Sequence, residues 1–423
     1  MKKIRISKKI ATILTATALI TSTFAMTAFA APADEKGVTT GDALTSISFT
    51  KDLKLVDEDS SFTPTTPNVK FAYTLAPAAD ADVTGVVKAE KKSDDTVVQA
   101  GVKKGIVEAI KTQPGNAEFS PADVATNKVV SKTMTIEFDA SKFTAAGIYR
   151  YVLTEGDPDN SNVSKTDKQT RYIDVYVTDK DNDGTPEITG TVVTKPGTSG
   201  KVLKTDGFTD DYDEYTEDPV DKTLSKTGEG TADSGVSTYN TYDLKVSKEV
   251  KGDLGDKTYK FNFNTTFTTT DETANNQGII LSSFLNGTGE AAPIAFDASK
   301  TIVFNSKLKH GEYVIIKGIP ADNVSYTVDE AKHEVDSYVV TAKAFADADA
   351  SLADTTLKDS SDGKITASLK INKKAGKNEV DFTNTLDNVA PTGLVLKLMP
   401  YVIMVVFAAV MEYIFLGRRK EIK

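Results

Sequence analysis

The sequence predicts an all-β protein, tandem immunoglobulin-like β-sandwich domains flanked by a signal peptide and a C-terminal transmembrane helix. Three observations lead there. Apolar and polar residues alternate over short runs, as in Ile47, Phe49, Leu53 and Leu55 or in Val69, Phe71, Tyr73 and Leu75, the period of a half-buried strand. Gly, Pro and Asp-Asn clusters interrupt these runs. Helical periodicity is absent except at the two ends.

The N-terminal end carries Lys2, Lys3, Arg5, Lys8 and Lys9, then an uncharged run from Ile10 that closes on Ala28-Phe29-Ala30. A basic start, an apolar middle and a small-x-small site make residues 1–30 a secretory signal peptide, cut between Ala30 and Ala31. The chain between this leader and the C-terminal end is expected outside the membrane.

Residues 42–212 read as a first domain. Its strands are predicted at 47–55 and 68–75, then over Thr133–Phe138, Gly147–Thr154 and Arg171–Thr178. Residues 76–127, rich in Ala, Asp and Lys, read as long loops with a short helix. The run Asp179-Lys-Asp-Asn-Asp-Gly184 opens like a calcium loop, but Gly190 stands where such a loop needs Glu; a polar turn is the reading. Residues 213–240 contain almost nothing apolar and read as a linker. A second domain is expected over 241–387. Its strands are predicted at 241–250, 257–267, 301–304, 312–316, 324–329, 337–342, 365–372 and 378–385. The two layouts match, as in a divergent duplication.

The C-terminal end, 389–423, holds Val389-Ala390-Pro391-Thr392-Gly393, an apolar run and Arg418-Arg419-Lys420. Fourteen uncharged residues separate Lys397 from Glu412. With those two charges at the interfaces, residues 394–416 reach the roughly 20 residues a membrane span requires, with the basic tail inside. This predicts transient membrane insertion.

The precursor has a formal charge of −10; without the +5 leader and the +3 tail, the mature chain carries −18. Such acidity excludes a nucleic-acid partner, whose backbone calls for positive charge. There is no Cys, so an exported chain must be held together by means other than disulfides.

Parity identifies an unusual set of residues. Lys51 shares a face with Ile47, Phe49, Leu53 and Leu55, and Lys248 with Leu244, Val246 and Val250. Glu155 shares parity with Tyr149, Tyr151 and Leu153, and Glu330 with Val324, Tyr326 and Val328. Asn384 aligns with Val380 and Phe382, and Asp210 with Phe208 and Tyr212. A charge facing a core is costly unless it is neutral, paired or bonded. First and last strands that lie side by side would bring Lys51, Glu155 and Asp210 together, and likewise Lys248, Glu330 and Asn384. Burial favours a neutral amine and a protonated carboxyl. The amine would then attack the side-chain carbonyl while the Glu bonds the developing oxyanion and shuttles the proton. Ammonia leaves from Asn384 and water from Asp210, giving an intramolecular isopeptide cross-link.

These residues carry a resemblance. Lys248, Tyr326-Thr-Val-Asp-Glu330 and Asp381-Phe-Thr-Asn384, with Lys51, Tyr151-Val-Leu-Thr-Glu155 and Gly207-Phe-Thr-Asp210, resemble the streptococcal-type pilin isopeptide domain. The order of Pro391-Thr392-Gly393, apolar run and basic tail resembles the sorting signal of Gram-positive surface proteins. The resemblance implies cutting by a sortase transpeptidase between Thr392 and Gly393, with attachment to other pilin subunits or to peptidoglycan. It also implies an acceptor lysine near the end of the first domain, where Lys201 and Lys204 follow Pro196-Gly-Thr-Ser-Gly200.

The expected function is that of a pilus shaft subunit in a fibre or on the cell wall. A monomeric wall-anchored adhesin or stalk, and a binding module using 76–127, are the alternatives; the ligand of an adhesive role is not legible. The only histidines, His310 and His333, form no ligand cluster, and no phosphate loop or nucleophile elbow is present. Enzymatic turnover, a cofactor and a metal are therefore not expected.

Overall fold

The computed structural model describes residues 36–387 and 401–413. Within them, residues 42, 84–87, 93–94, 100–101, 166–168, 180–182, 197–200, 210–211, 218–223, 231–234, 271–278, 289–292, 297, 323, 332–337, 345–352, 355–357, 360–363, 372, 374–375 and 377 are not described. Strands form nearly all the regular structure, in layers around two hydrophobic cores.

The first core lies between two layers. In one, Ser46–Asp57 runs antiparallel to Val129–Phe138. Its residues alternate strictly, so Ile47, Phe49, Leu53 and Leu55 point inward and Lys51 points with them. In the other layer, Tyr73–Pro77, Gly147–Glu155, Thr170–Thr178 and Glu187–Lys195 lie in that order. Phe49 meets Tyr73 edge-on at 5.0 Å, and Phe138 packs on Tyr151 at 5.1 Å, closing the layers together.

The second core repeats the plan. Ser237–Lys251 pairs antiparallel with Tyr313–Pro320 and parallel with Glu379–Thr385. The opposing layer holds Thr301–Leu308, Phe261–Thr269, Val324–Ala331 and Lys364–Lys370 in that order. Phe263 against Phe382, at 5.3 Å, joins the layers.

One strand belongs to both cores. Ser237–Thr241 runs parallel to Leu53–Asp57, and from Lys245 onward the same edge pairs with Glu379–Thr385. An 11-stranded sheet therefore passes through both halves. The expected linker 213–240 accordingly contains strand: Tyr212–Glu217 pairs with Lys201–Lys204 and with Leu224–Gly230, and the last residues begin the shared strand. Low apolar content signalled irregular chain, yet ladder hydrogen bonds along a sheet edge need no apolar side chain.

At the seam, Lys317 pairs with Asp59 and lies 3.1 Å from Asp243, while Asp57 accepts a hydrogen bond from Thr241. Phe62 and Phe284 meet edge-on beneath the Lys317 ammonium.

The predicted transmembrane helix over 394–416 is corrected. The described helix covers residues 401–413. At about 1.5 Å per residue it reaches about 20 Å, short of a hydrocarbon core of roughly 30 Å. Among the described residues no helix is long and apolar enough to cross a membrane. The uncharged run bracketed by Lys397 and Glu412 is too brief, and the expected membrane insertion falls with it.

Candidate functional site

In the second half, parity and pairing deliver three polar residues into an apolar core. Lys248 lies across from Phe382, one pleat before the Val250–Asn384 pair. The parallel register thus sets Lys248 and Asn384 on one face. Glu330 comes from the opposite layer, where it faces Phe263. All three are buried.

Lys248 Nζ donates to Glu330 Oε1 at 2.7 Å, and Asn384 Nδ2 donates to the same oxygen at 2.7 Å. Asn384 Oδ1 meets no donor among the described residues. The ammonium rests 4.2 Å from the Phe261 ring centroid. Burial pulls the Lys248 amine down to about 8, against the pull of Glu330 toward the charged form. The neutral form that can act as a nucleophile is thereby favoured relative to an exposed lysine. The arrangement holds an amine and a side-chain amide together under one carboxylate, away from water.

The first half places Lys51 and Glu155 as the sequence predicts, with Nζ to Oε1 at 2.9 Å. The amine is fully buried and lies 4.5 Å from the Phe71 ring centroid. Burial brings it, too, down to about 8. Its other two hydrogen bonds go to Gly235 O at 3.2 Å and Ser237 Oγ at 2.9 Å. Asp210 lies outside the described residues.

Three members of this cluster were not legible in the sequence. Tyr73 Oη donates to Glu155 Oε2 at 2.7 Å; burial and the Glu155 charge push its phenol far up, so it stays protonated. Arg171, fully buried, donates from Nε to Gly207 O at 2.6 Å and stacks on Phe208 at 4.5 Å. Ser237, buried, accepts from Lys51 two residues beyond Gly235, whose carbonyl does the same. A Cβ on Gly235 would meet Thr209 O at 2.4 Å and Arg171 Nη2 at 2.9 Å, so only glycine fits that approach. Gly207, at φ +136°, sits equally tight, with Thr50 O at 2.5 Å from a built Cβ.

Of the lysines predicted to join subunits, Lys204 is only 6% exposed, while Lys201 opens the strand Lys201–Lys204. The predicted cleavage site Ala30–Ala31 and the motif Val389, Ala390, Pro391, Thr392 and Gly393 lie outside the described residues. No group of three or more His, Cys, Asp or Glu that could hold a metal occurs among the described residues.

Residues 242–386 match a family model described as a domain of unknown function (DUF7601). Over 382 residues the chain is 25% identical to a pilin of Streptococcus pyogenes serotype M1, spanning 89% of this chain and 91% of that one. Its fold is similar to the crystal structure of the major pilin from Streptococcus pyogenes, with 20% identity and a TM-score of 0.51, covering 81% of this chain and 99% of that one. The major pilin of a further Streptococcus pyogenes serotype gives 18% identity and a TM-score of 0.50, covering 83% and 100%. In sequence and in fold, then, the chain resembles streptococcal pilins, which are structural proteins and not enzymes.

Proposed function

We propose that this chain is a pilus shaft subunit, an extracellular structural protein whose second half is stapled by an isopeptide bond between Lys248 and Asn384. The observation that carries this reading is the convergence of Lys248 Nζ and Asn384 Nδ2 on one oxygen of Glu330.

In that geometry Glu330 stands between a nitrogen that must lose a proton and a nitrogen that must gain one. Neutral Lys248 Nζ attacks Asn384 Cγ; the Nζ–Cγ bond forms and the Cγ–Nδ2 bond breaks. Glu330 carries the amine's proton to the departing nitrogen, which leaves as ammonia. Sequence reasoning assigns Glu330 two expected roles, bonding the developing oxyanion and shuttling the proton. In this rotamer its Oε1 accepts from the leaving nitrogen, which favours the second. The reaction happens once per chain, without turnover.

Sortase joining at Thr392 completes the reading, with an acceptor amine on the neighbouring subunit. Lys201 is the proposed acceptor, because the burial of Lys204 keeps that amine from an incoming enzyme. The test is a denaturing gel of cell-wall extract alongside the intact mass of recombinant residues 31–392. A polymer ladder lost in Lys201→Ala, and a mass one ammonia below that calculated, support the reading. A single band indicates an unpolymerised wall protein, and the full calculated mass removes the staple.

A further inference from the structure

The two buried lysines sit in the same frame, down to the register of the strands around them. Two residues beyond Lys248, Val250 pairs with Asn384; two beyond Lys51, Leu53 pairs with Ser237. Glu330 faces Phe263, and Glu155 faces Tyr73. Two residues before each Glu, Val328 pairs with Ala367 and Leu153 with Arg171. Ser237 therefore stands where the second half has Asn384, and Tyr73 and Arg171 stand where it has Phe263 and Ala367.

We propose that Ser237 withholds the cross-linking reaction from the first half, where Lys51 remains a free amine held in a non-covalent polar clamp. The comparison rests on Asn384 being the reacting partner in the second half. A serine side chain offers a hydroxyl but no carbonyl carbon, so at that position the amine has no acyl group to attack. Lys51 instead directs all three of its ammonium protons to Glu155 Oε1, Gly235 O and Ser237 Oγ, the full donor capacity of the group. The other two differences point the same way. Tyr73 gives Glu155 a second donor, and Arg171 ties Gly207 to the layer that carries Glu155. A reactive pair has become a hydrogen-bonded network, which holds a buried charge stably when its donors are met.

The clamp has a mechanical meaning. Its acceptors Gly235 and Ser237 belong to the chain that enters the second half, so the first core is closed reversibly by its neighbour's leading strand. Under denaturant or load the first half opens and recloses, while the second half stays looped on itself.

The test is peptide mapping and intact mass of the purified exported chain. Lys51 is expected in an unlinked peptide, with the only mass deficit one ammonia mapping to Lys248 and Asn384. A Lys51 peptide linked to Asp210 with loss of water, or to any other side chain, overturns the proposal. Absence of the Lys248–Asn384 linkage counts against the proposed function, not against the free Lys51 amine. Ser237→Asn restores an amide at that register, and a second ammonia loss mapping to Lys51 is expected. Ser237→Asp serves as an independent probe, with loss of one water. If the variants keep the native circular dichroism spectrum and neither links to Lys51, Ser237 is not what withholds the reaction.

Discussion

Lys248 and Asn384 share a single acceptor, Glu330 Oε1, each at 2.7 Å. Removing the amide carbonyl should leave the fold but not the staple. Asn384→Ala is expected to show the full calculated mass and a lower unfolding midpoint for the second half. Closing a loop of roughly 140 residues contributes about 4–5 kcal/mol in the chain-entropy account used for disulfides. Mass spectrometry and denaturant titration check both; an unchanged midpoint in an unlinked chain would show the staple to be thermodynamically idle.

The seam between the halves should respond to pH. Burial, then the charge of Asp57 and a hydrogen bond with it, push the Asp243 carboxyl up to about 8, and burial raises Glu58 as well. Such groups hold their protons more tightly folded than unfolded. Stability is full below about pH 4, the unfolded value, and is lost as pH rises toward about 8. Asp59, held low by its hydrogen bond from Lys317, acts oppositely and only in stronger acid. Asp243→Asn is therefore expected to flatten the pH dependence of the denaturation midpoint between pH 4 and 8. A slope unchanged by that substitution would place the titration elsewhere.

Tyr73→Phe tests the clamp with little change in shape. It removes the buried hydrogen bond to Glu155 Oε2. A hydrogen bond to a charged group is worth about 1.5–3 kcal/mol, and a loss of that size is expected in the first half. Chemical denaturation followed by a probe in each half measures it. Equal loss in both halves would mean that they unfold as one unit.

Gly235→Ala probes the return of the chain to the core. The new methyl group would collide with the Thr209 carbonyl. Overpacking of this kind costs about 1–3 kcal/mol, and faster cleavage after residue 209 by a nonspecific protease is the expected sign. Protection equal to that of the parent chain would show that the backbone adjusts.

Much of this was legible in the sequence. Alternation placed Lys51, Lys248, Glu155, Glu330 and Asn384 on inward faces, because period-two parity survives any sheet order. Predicted strands such as Gly147–Thr154 and Arg171–Thr178 appear as Gly147–Glu155 and Thr170–Thr178. Parity cannot say which strand closes a sheet. The chain runs beside Thr50 and Lys51 at Gly207 and Phe208, departs, and resumes beside Leu53 at Ser237. Two acceptors of the Lys51 ammonium, Gly235 O and Ser237 Oγ, thus lie in a later stretch read as linker. Tyr73 and Arg171 were hidden for a similar reason: a Tyr in an apolar stripe reads as core, and the alternation of Arg171 with Ile173 and Val175 gains meaning only opposite Leu153. At the C-terminus, the described helix, residues 401–413, covers only part of the stretch that hydropathy counted.

The strand Ser237–Lys251 also sets an order of events during synthesis. A chain made from its N-terminus presents the edge of Leu53–Asp57 long before residue 237 exists. Until then that edge offers unpaired backbone groups to any extended segment nearby, the usual seed of intermolecular pairing. The first core must therefore wait, open on one side, for the opening residues of the second. Nascent chains halted near residue 212 should aggregate where chains halted beyond residue 251 do not.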